Sequence, residues 1–166
     1  CRQIGLEFDR DGEIARRGAI CRPLLDELNG MEFYHQSGPK SLGREWVETQ
    51  VYPMLERYGL SVEDKLRTFY EHAAFQIFRI INANPSSAGN GKLLITGGGA
   101  FNKFLVERIE ALCPCQIVIP GRQIIEYKEA LIFAFLGALY MADEPGCLAS
   151  VTGASMDNIG GMLFKV

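Results

Sequence analysis

Residues 92–105 read Lys92-Leu93-Leu94-Ile95-Thr96-Gly97-Gly98-Gly99-Ala100-Phe101-Asn102-Lys103-Phe104-Leu105. A short apolar run meets three consecutive glycines, and an amphipathic segment follows at once. That order predicts strand, tight turn and helix. Gly97, Gly98 and Gly99 have no Cβ, so they can take positive φ and let a second body approach the main chain. The first N–H groups of the following helix have no partner within it. Such a helix start attracts phosphate or a nucleotide. The turn is neither the G-x-x-x-x-G-K-[ST] of a P-loop nor the G-x-G-x-x-G of a dinucleotide fold. A conformational reading stays open beside the ligand-binding one: the glycines permit a sharp reversal, and Asn102 caps the helix.

The flanking sequence supplies the rest of the fold. Gln116 to Ile119 reads as a second strand, and strand–helix–strand with so short a crossover predicts a parallel pair with a right-handed connection. Phe104, Leu105, Ile109 and Leu112 are predicted to face inward on the helix between. Upstream, Gly12 to Arg17 and Arg22 to Leu28 read as brief helices, and a longer one starts near Arg44. Pro53 should kink or split it. Ser61 is a good N-cap, with Glu63 and Asp64 complementing the dipole of the next helix. Leu66, Phe69, Tyr70, Ala73, Ile77, Ile80 and Ile81 form one broad apolar stripe on that helix. His72 lies off the stripe and reads as a boundary histidine; His35 has only loop context. Residues 82–91 form a loop by composition. The helix from about Ile124 to Met141 is apolar nearly all round in its second half, which predicts burial on most sides. Val151 to Ser155 is another small-residue turn. The fold class is α/β, rich in helix, with a small, mostly parallel sheet.

Bulk properties narrow the function. The 166 residues suit one domain with a sizeable core. A net charge of −3 without any Lys/Arg cluster argues against a nucleic-acid surface. The longest apolar run, Ala130 to Ala142, is too short to span a bilayer, and no signal peptide is visible, so no membrane role is expected. Cys1, Cys21, Cys113, Cys115 and Cys147 are odd in number, with Cys113-Pro114-Cys115 spaced C-x-C, and the two histidines lie far apart. Free thiols in a reducing cytoplasm are the simpler reading, with no disulfide framework and no metal site. The chain opens at Cys1 and runs straight into globular sequence, so it is expected to be a piece of something longer.

Five stretches make the sequence familiar. Asp11-Gly12-Glu13-Ile14-Ala15-Arg16-Arg17-Gly18 matches D-G-x-x-A-x-x-G. Pro39-Lys40-Ser41-Leu42-Gly43-Arg44-Glu45 is close to P-K-S-T-G-R-E, with Leu42 in place of Thr. Thr96 to Asn102 fits T-G-G-G-A-x-N. Lys128-Glu129-Ala130 with Phe133-Ala134, and later Val151-Thr152-Gly153-Ala154, fit K-E-A-x-x-F-A and V-T-G-A. In these segments, and in their order across nearly all of the chain, the sequence resembles the C-terminal half of the anhydro-N-acetylmuramic acid kinases. That family belongs to the superfamily of acetate and sugar kinases, heat-shock chaperones and actin.

The resemblance implies a ribonuclease-H-like, actin-like ATPase fold, with residues 1–166 forming a single C-terminal lobe of a two-lobed kinase whose N-terminal lobe is absent. It implies a cytoplasmic enzyme, a homodimer in its full-length form, that uses ATP and Mg2+ on 1,6-anhydro-N-acetylmuramic acid. The anhydro bridge is opened by water and O6 is phosphorylated, giving N-acetylmuramic acid 6-phosphate for cell-wall sugar recycling. The general-base aspartate would lie in the missing lobe, so no catalytic residue is assigned in this chain. Asp9 and Asp11 read as solvated loop acids, and the chain alone is expected to lack kinase activity. Thr96, Gly97, Gly98, Gly99, Ala100 and Asn102 would border the nucleotide. Glu129 would hydrogen-bond sugar hydroxyls, accepting from two at once; a first-turn carboxylate, or a partner for Lys128 or Arg122, is the structural alternative. Lys40 and Arg44 could address the substrate carboxylate or a phosphate, or could hold their loop, with Ser41 as a cap. A reading from another class also stands: a non-catalytic actin-like module that binds a nucleotide or dimerises.

Overall fold

Ser61 opens the helix around which half of the molecule is built. In the computed structural model, which describes residues 1–37, 40–83, 91–162 and 164, its Oγ accepts a hydrogen bond from the Asp64 amide at 3.1 Å. Gly38, Pro39 at the start of the P-K-S-like stretch, residues 84–90 of the predicted loop, and positions 163, 165 and 166 of the apolar end lie outside the described residues. The chain divides into two compact units. Residues 1–36 and 42–120 form the first, and residues 37–41 and 121–166 the second.

In the first unit a 3-10 turn, Arg10–Gly12, leads into α1 (Glu13–Arg17). Helices α2 (Arg22–Asn29) and α3 (Glu32–His35) follow. Next, α4 (Arg44–Trp46) continues through a widened π turn, Val47–Val51, into α5 (Tyr52–Arg57). The widening ends where Pro53 removes a donor from the helical ladder. Helix α6 (Val62–Ala83) packs against α1, α2 and α7 (Lys103–Leu112). Strands β1 (Lys92–Leu94) and β2 (Gln116–Val118) pair in parallel, with Lys92 opposite Gln116 and Leu94 opposite Val118. The fold is therefore helix-rich α/β with a two-stranded parallel sheet.

Two apolar clusters hold this unit together. Leu24, Leu28 and Val51 are buried under Trp46, Leu55 and Phe69. Ala74, Ile109 and Cys113 join α6 to α7, with Leu93 and Ile117 closing over them from the strands. Burial pushes the Cys113 thiol up, with Cys115 adding to the effect, which disfavours the nucleophilic thiolate. Phe104 locks α7 in place: it is buried, and the guanidinium groups of Arg16 and Arg67 lie 4.6 and 4.8 Å from its ring centre.

Three expectations change. Helix α6 is not a one-striped helix. It is packed by neighbours on several sides, so Thr68, His72 and Ala74 are buried while Ile80, placed on the stripe, is 68% exposed. His72 is a core residue rather than a boundary one, at 2% exposure. Polar groups are tolerated there because each finds a partner: Thr68 Oγ1 accepts from the Cys21 amide at 3.0 Å. On α7 the inward set is Phe104, Val106 and Ile109, with Leu105 and Leu112 half-buried.

The second unit is α8 (Arg122–Met141), α9 (Ala149–Thr152) and a bridged tail. Cys147 and Asn158 exchange backbone hydrogen bonds at 3.0 and 2.9 Å. Asp157 Oδ1 accepts from the Ala149 amide at 2.6 Å and so caps α9. The Val151-Thr152-Gly153-Ala154 stretch ends α9, with Gly153 left-handed after its last turn. Here too an expectation is corrected. Only Ile125 of α8 is buried, while Phe133 and Met141 are 71% and 72% exposed. One short tail cannot cover a 20-residue helix that is apolar nearly all round. No helix among the described residues is long and apolar enough to cross a membrane.

Candidate functional site

The glycine turn is where the strand hands over to α7. After β1, the Ile95 amide still bonds Val118 O at 3.0 Å, so the chain leaves the sheet at Thr96. Gly97 sits at φ 82°, ψ −179°, a backbone region open essentially to glycine alone. A 3-10 turn, Gly98–Phe101, follows, closed by Ala100 N to Gly97 O at 3.0 Å and Asn102 N to Gly99 O at 3.1 Å. Gly98 and Gly99 open that turn, so their amides have no partner within it.

The turn faces outward. Gly98 and Gly99 are exposed, and a Cβ built on Gly97, Gly98 or Gly99 would meet nothing within 4 Å. Beside them, Thr96 Oγ1 is buried with no hydrogen-bond partner. An orphaned hydroxyl next to free amides on an open surface fits a ligand rich in oxygen acceptors. Ala100 is buried and anchors the turn from beneath.

Behind the turn everything is tied down. Asn102 Oδ1 accepts from the Leu105 amide at 2.9 Å, capping α7. That fixes the amide orientation, so Asn102 Nδ2 donates to the Tyr70 hydroxyl at 2.8 Å. The Tyr70 O–H in turn donates to Asp9 Oδ2 at 3.2 Å. Asp9 is 7% exposed, and its two oxygens also accept from the Ile14 and Ala15 amides at 2.8 and 3.1 Å, so it caps α1 from within. Asp9 is thus a buried structural carboxylate, not a solvated loop acid; the unpaired amides at the start of α1 hold it inside. Burial, with the Asp9 charge adding, pushes the Tyr70 phenol up to about 12, so it remains a donor. Asp11, at φ 55°, pairs with Lys103 Nζ at 3.4 Å on the first turn of α7.

Gly12 explains why the D-G segment can lie here. It is left-handed at φ 76°, and a Cβ on it would stand 2.5 Å from both Asn102 Oδ1 and Phe104 Cβ. Only a residue without a side chain lets the start of α1 touch the α7 cap.

The remaining predicted site residues belong to other segments. Arg44 belongs to the first unit; its Nε donates to Glu48 Oε1 at 2.6 Å on its own helix. Lys40 and Glu129 belong to the second unit, and both are exposed. Glu129 lies in the third turn of α8, beyond the reach of the helix-start dipole, and Arg122 is paired with Glu126 at 2.6 Å. Among the described residues no group of three or more His, Cys, Asp or Glu could hold a metal ion.

Sequence reasoning missed Tyr70 as part of the site. It appeared there only as an apolar residue of the α6 stripe, and its partners stand 61 and 32 residues away. No local signal marks such a contact. A family model described as anhydro-N-acetylmuramic acid kinase matches residues 1–166.

Proposed function

The chain belongs to the anhydro-N-acetylmuramic acid kinase family, and from that premise we propose that it is the C-terminal, ribonuclease-H-like lobe of an ATP-dependent sugar kinase. The reaction is the hydrolytic opening of 1,6-anhydro-N-acetylmuramic acid with phosphorylation of O6. Water adds to the anomeric carbon, the C1–O6 bond breaks, O6 takes the γ-phosphoryl group, and ADP leaves. The base that accepts the water proton belongs to the companion lobe.

The observation that carries this reading is the outward face of the glycine turn. Phosphoryl transfer depends on positioning and charge stabilisation more than on covalent help from the protein. Open main chain at Gly97, Gly98 and Gly99, with the unpartnered Thr96 hydroxyl beside it, suits a nucleotide, while Ala100 and Asn102 hold the turn in shape. Magnesium, when bound, neutralises charge on the transferring phosphoryl group. In this proposal it takes phosphate oxygens, waters and groups outside this chain. Glu129 is assigned to sugar hydroxyls, and Lys40 and Arg44 to the substrate carboxylate or a phosphate. The homodimer belongs to the same proposal, supported by the exposed Leu131, Phe133 and Phe135 of α8.

Calorimetry of this polypeptide with a magnesium-loaded, non-hydrolysable ATP analogue tests the reading. Binding is expected, with loss of at least about tenfold in affinity for Gly98→Val and little change in stability, because nothing stands within 4 Å of that position. Unchanged affinity in that variant would make the turn purely structural. ATP-dependent phosphorylation of the anhydro sugar by this polypeptide alone would refute the single-lobe assignment.

A further inference from the structure

Asp9, Tyr70 and Asn102 come from three separate segments of the first unit, yet they form one directed chain of hydrogen bonds ending at the α7 cap. Each link has only one workable direction. The Leu105 N–H must be accepted, so Asn102 presents Oδ1 to it and Nδ2 to Tyr70. The Tyr70 hydroxyl accepts from that Nδ2 and is left with one proton to give. The Asp9 carboxylate, already fixed by the Ile14 and Ala15 amides, is the acceptor. Asn102 in turn carries the last amide of the glycine turn, through its bond to Gly99 O. At the far end of this chain lie the Thr96 hydroxyl, buried without a partner, and the exposed Gly98 and Gly99, whose amides open the 3-10 turn.

We propose that Tyr70 is a positioning residue for the nucleotide: its hydroxyl, held by Asp9, keeps Asn102 in the rotamer that caps α7 and thereby keeps the Gly97–Asn102 backbone in its ligand-facing form. This rests on the reading of the turn as a nucleotide site. Tyr70 touches no ligand; it acts through Asn102. A pre-shaped turn binds without the entropic cost of ordering its glycines, and that cost is large because glycine has more conformations to lose than any other residue.

Tyr70→Phe tests this. It removes one oxygen and keeps the ring that packs 6.4 Å, centre to centre, from Phe104. Asn102→Asp is the second variant; it retains an oxygen that caps Leu105, turns the donor to Tyr70 into an acceptor and adds one negative charge. Thr68→Val on the same helix is the control, since it also deletes one buried hydrogen bond but acts on the Cys21 amide instead. Two quantities are read in each: amide hydrogen exchange at Ala100, Asn102 and Leu105, whose N–H groups bond Gly97 O, Gly99 O and Asn102 Oδ1, and affinity for the magnesium-loaded ATP analogue. For Tyr70→Phe and Asn102→Asp, exchange at those amides rises and affinity falls, each by about tenfold, the equivalent of one hydrogen bond. Thr68→Val changes neither beyond its effect on global stability. If the Tyr70→Phe values track those of Thr68→Val, Tyr70 is merely structural. If affinity falls while exchange stays unmoved, Tyr70 acts on the ligand directly and the relay is wrong. If the unsubstituted chain binds no analogue, the nucleotide reading and this assignment both fall. That failure is distinguishable, because exchange at Leu105 would still respond with no affinity to lose.

Discussion

Helix α6 carries two buried polar networks, and they end differently. On one side His72 stands between Asn29 and Tyr34: Nδ1 meets Asn29 Oδ1 at 2.7 Å, and Nε2 meets the Tyr34 hydroxyl at 3.0 Å. Gln76 Nε2 also donates to that Asn29 oxygen at 2.9 Å, which marks the oxygen as an acceptor and His72 Nδ1 as the protonated nitrogen. Every polar atom of the imidazole is answered, and the ring is sealed. On the other side Tyr70 links Asp9 to Asn102, and this network runs out to a turn beside which the buried Thr96 hydroxyl has no partner. A closed network specifies packing. A network satisfied at its root and unsatisfied at its edge holds a surface ready for something else.

The contrast can be broken from either side. The largest effect is expected at Gly12, where Ala would combine a left-handed residue with a Cβ placed 2.5 Å from Asn102 and Phe104. Gly12→Ala should cost about 2–5 kcal/mol, from backbone strain together with overpacking. Denaturant unfolding reads this, and a loss below about 1 kcal/mol would mean that the α1–α7 contact yields easily.

Next comes the pH response of the sealed network. Burial lowers His72 to about 4 from an ordinary 6.5. The unfolded chain therefore binds the proton more readily than the folded one between those two values. Stability falls as pH drops from about 6.5 toward 4, by up to roughly 3 kcal/mol, and levels off below. His72→Gln should flatten that part of the curve, whatever its effect on absolute stability. A pH–stability profile of identical shape in parent and variant would show that His72 is not the titrating group. The turn network contains no histidine, so nucleotide affinity should not share this pH step.

The smallest effect is expected at Arg44. Its side chain is 78% exposed and pairs with Glu48 on its own helix, so Arg44→Ala should leave thermal unfolding unchanged. If Arg44 addresses a substrate anion, as proposed, the same variant should raise KM for the sugar in an active kinase that contains this chain. Unaltered kinetics would confine it to its helix.

How much of this was legible in advance follows from distance along the chain. The Ser61 and Asn102 caps, the widened helical turn before Pro53, the parallel pair and the glycine turn are set by residues within a few positions of one another, where side-chain size, φ preference and capping act directly. The closed surroundings of His72 and the link from Asp9 to Tyr70 depend on partners 43 and 61 residues away. The exposure of α8 was misread for the opposite reason. An apolar sequence says that cover is wanted, not that the neighbouring chain supplies it.

Sequence by itself determined the local grammar: which segments turn, which coil, and where bare backbone would meet the outside. Only the tertiary structure decided which polar side chains are buried in answered pairs and which hydroxyl is left without a partner. The reason is that hydrogen-bond satisfaction is a property of neighbours in space, and residues as remote as Asp9, Tyr70 and Asn102 become neighbours only once α1, α6 and α7 have packed.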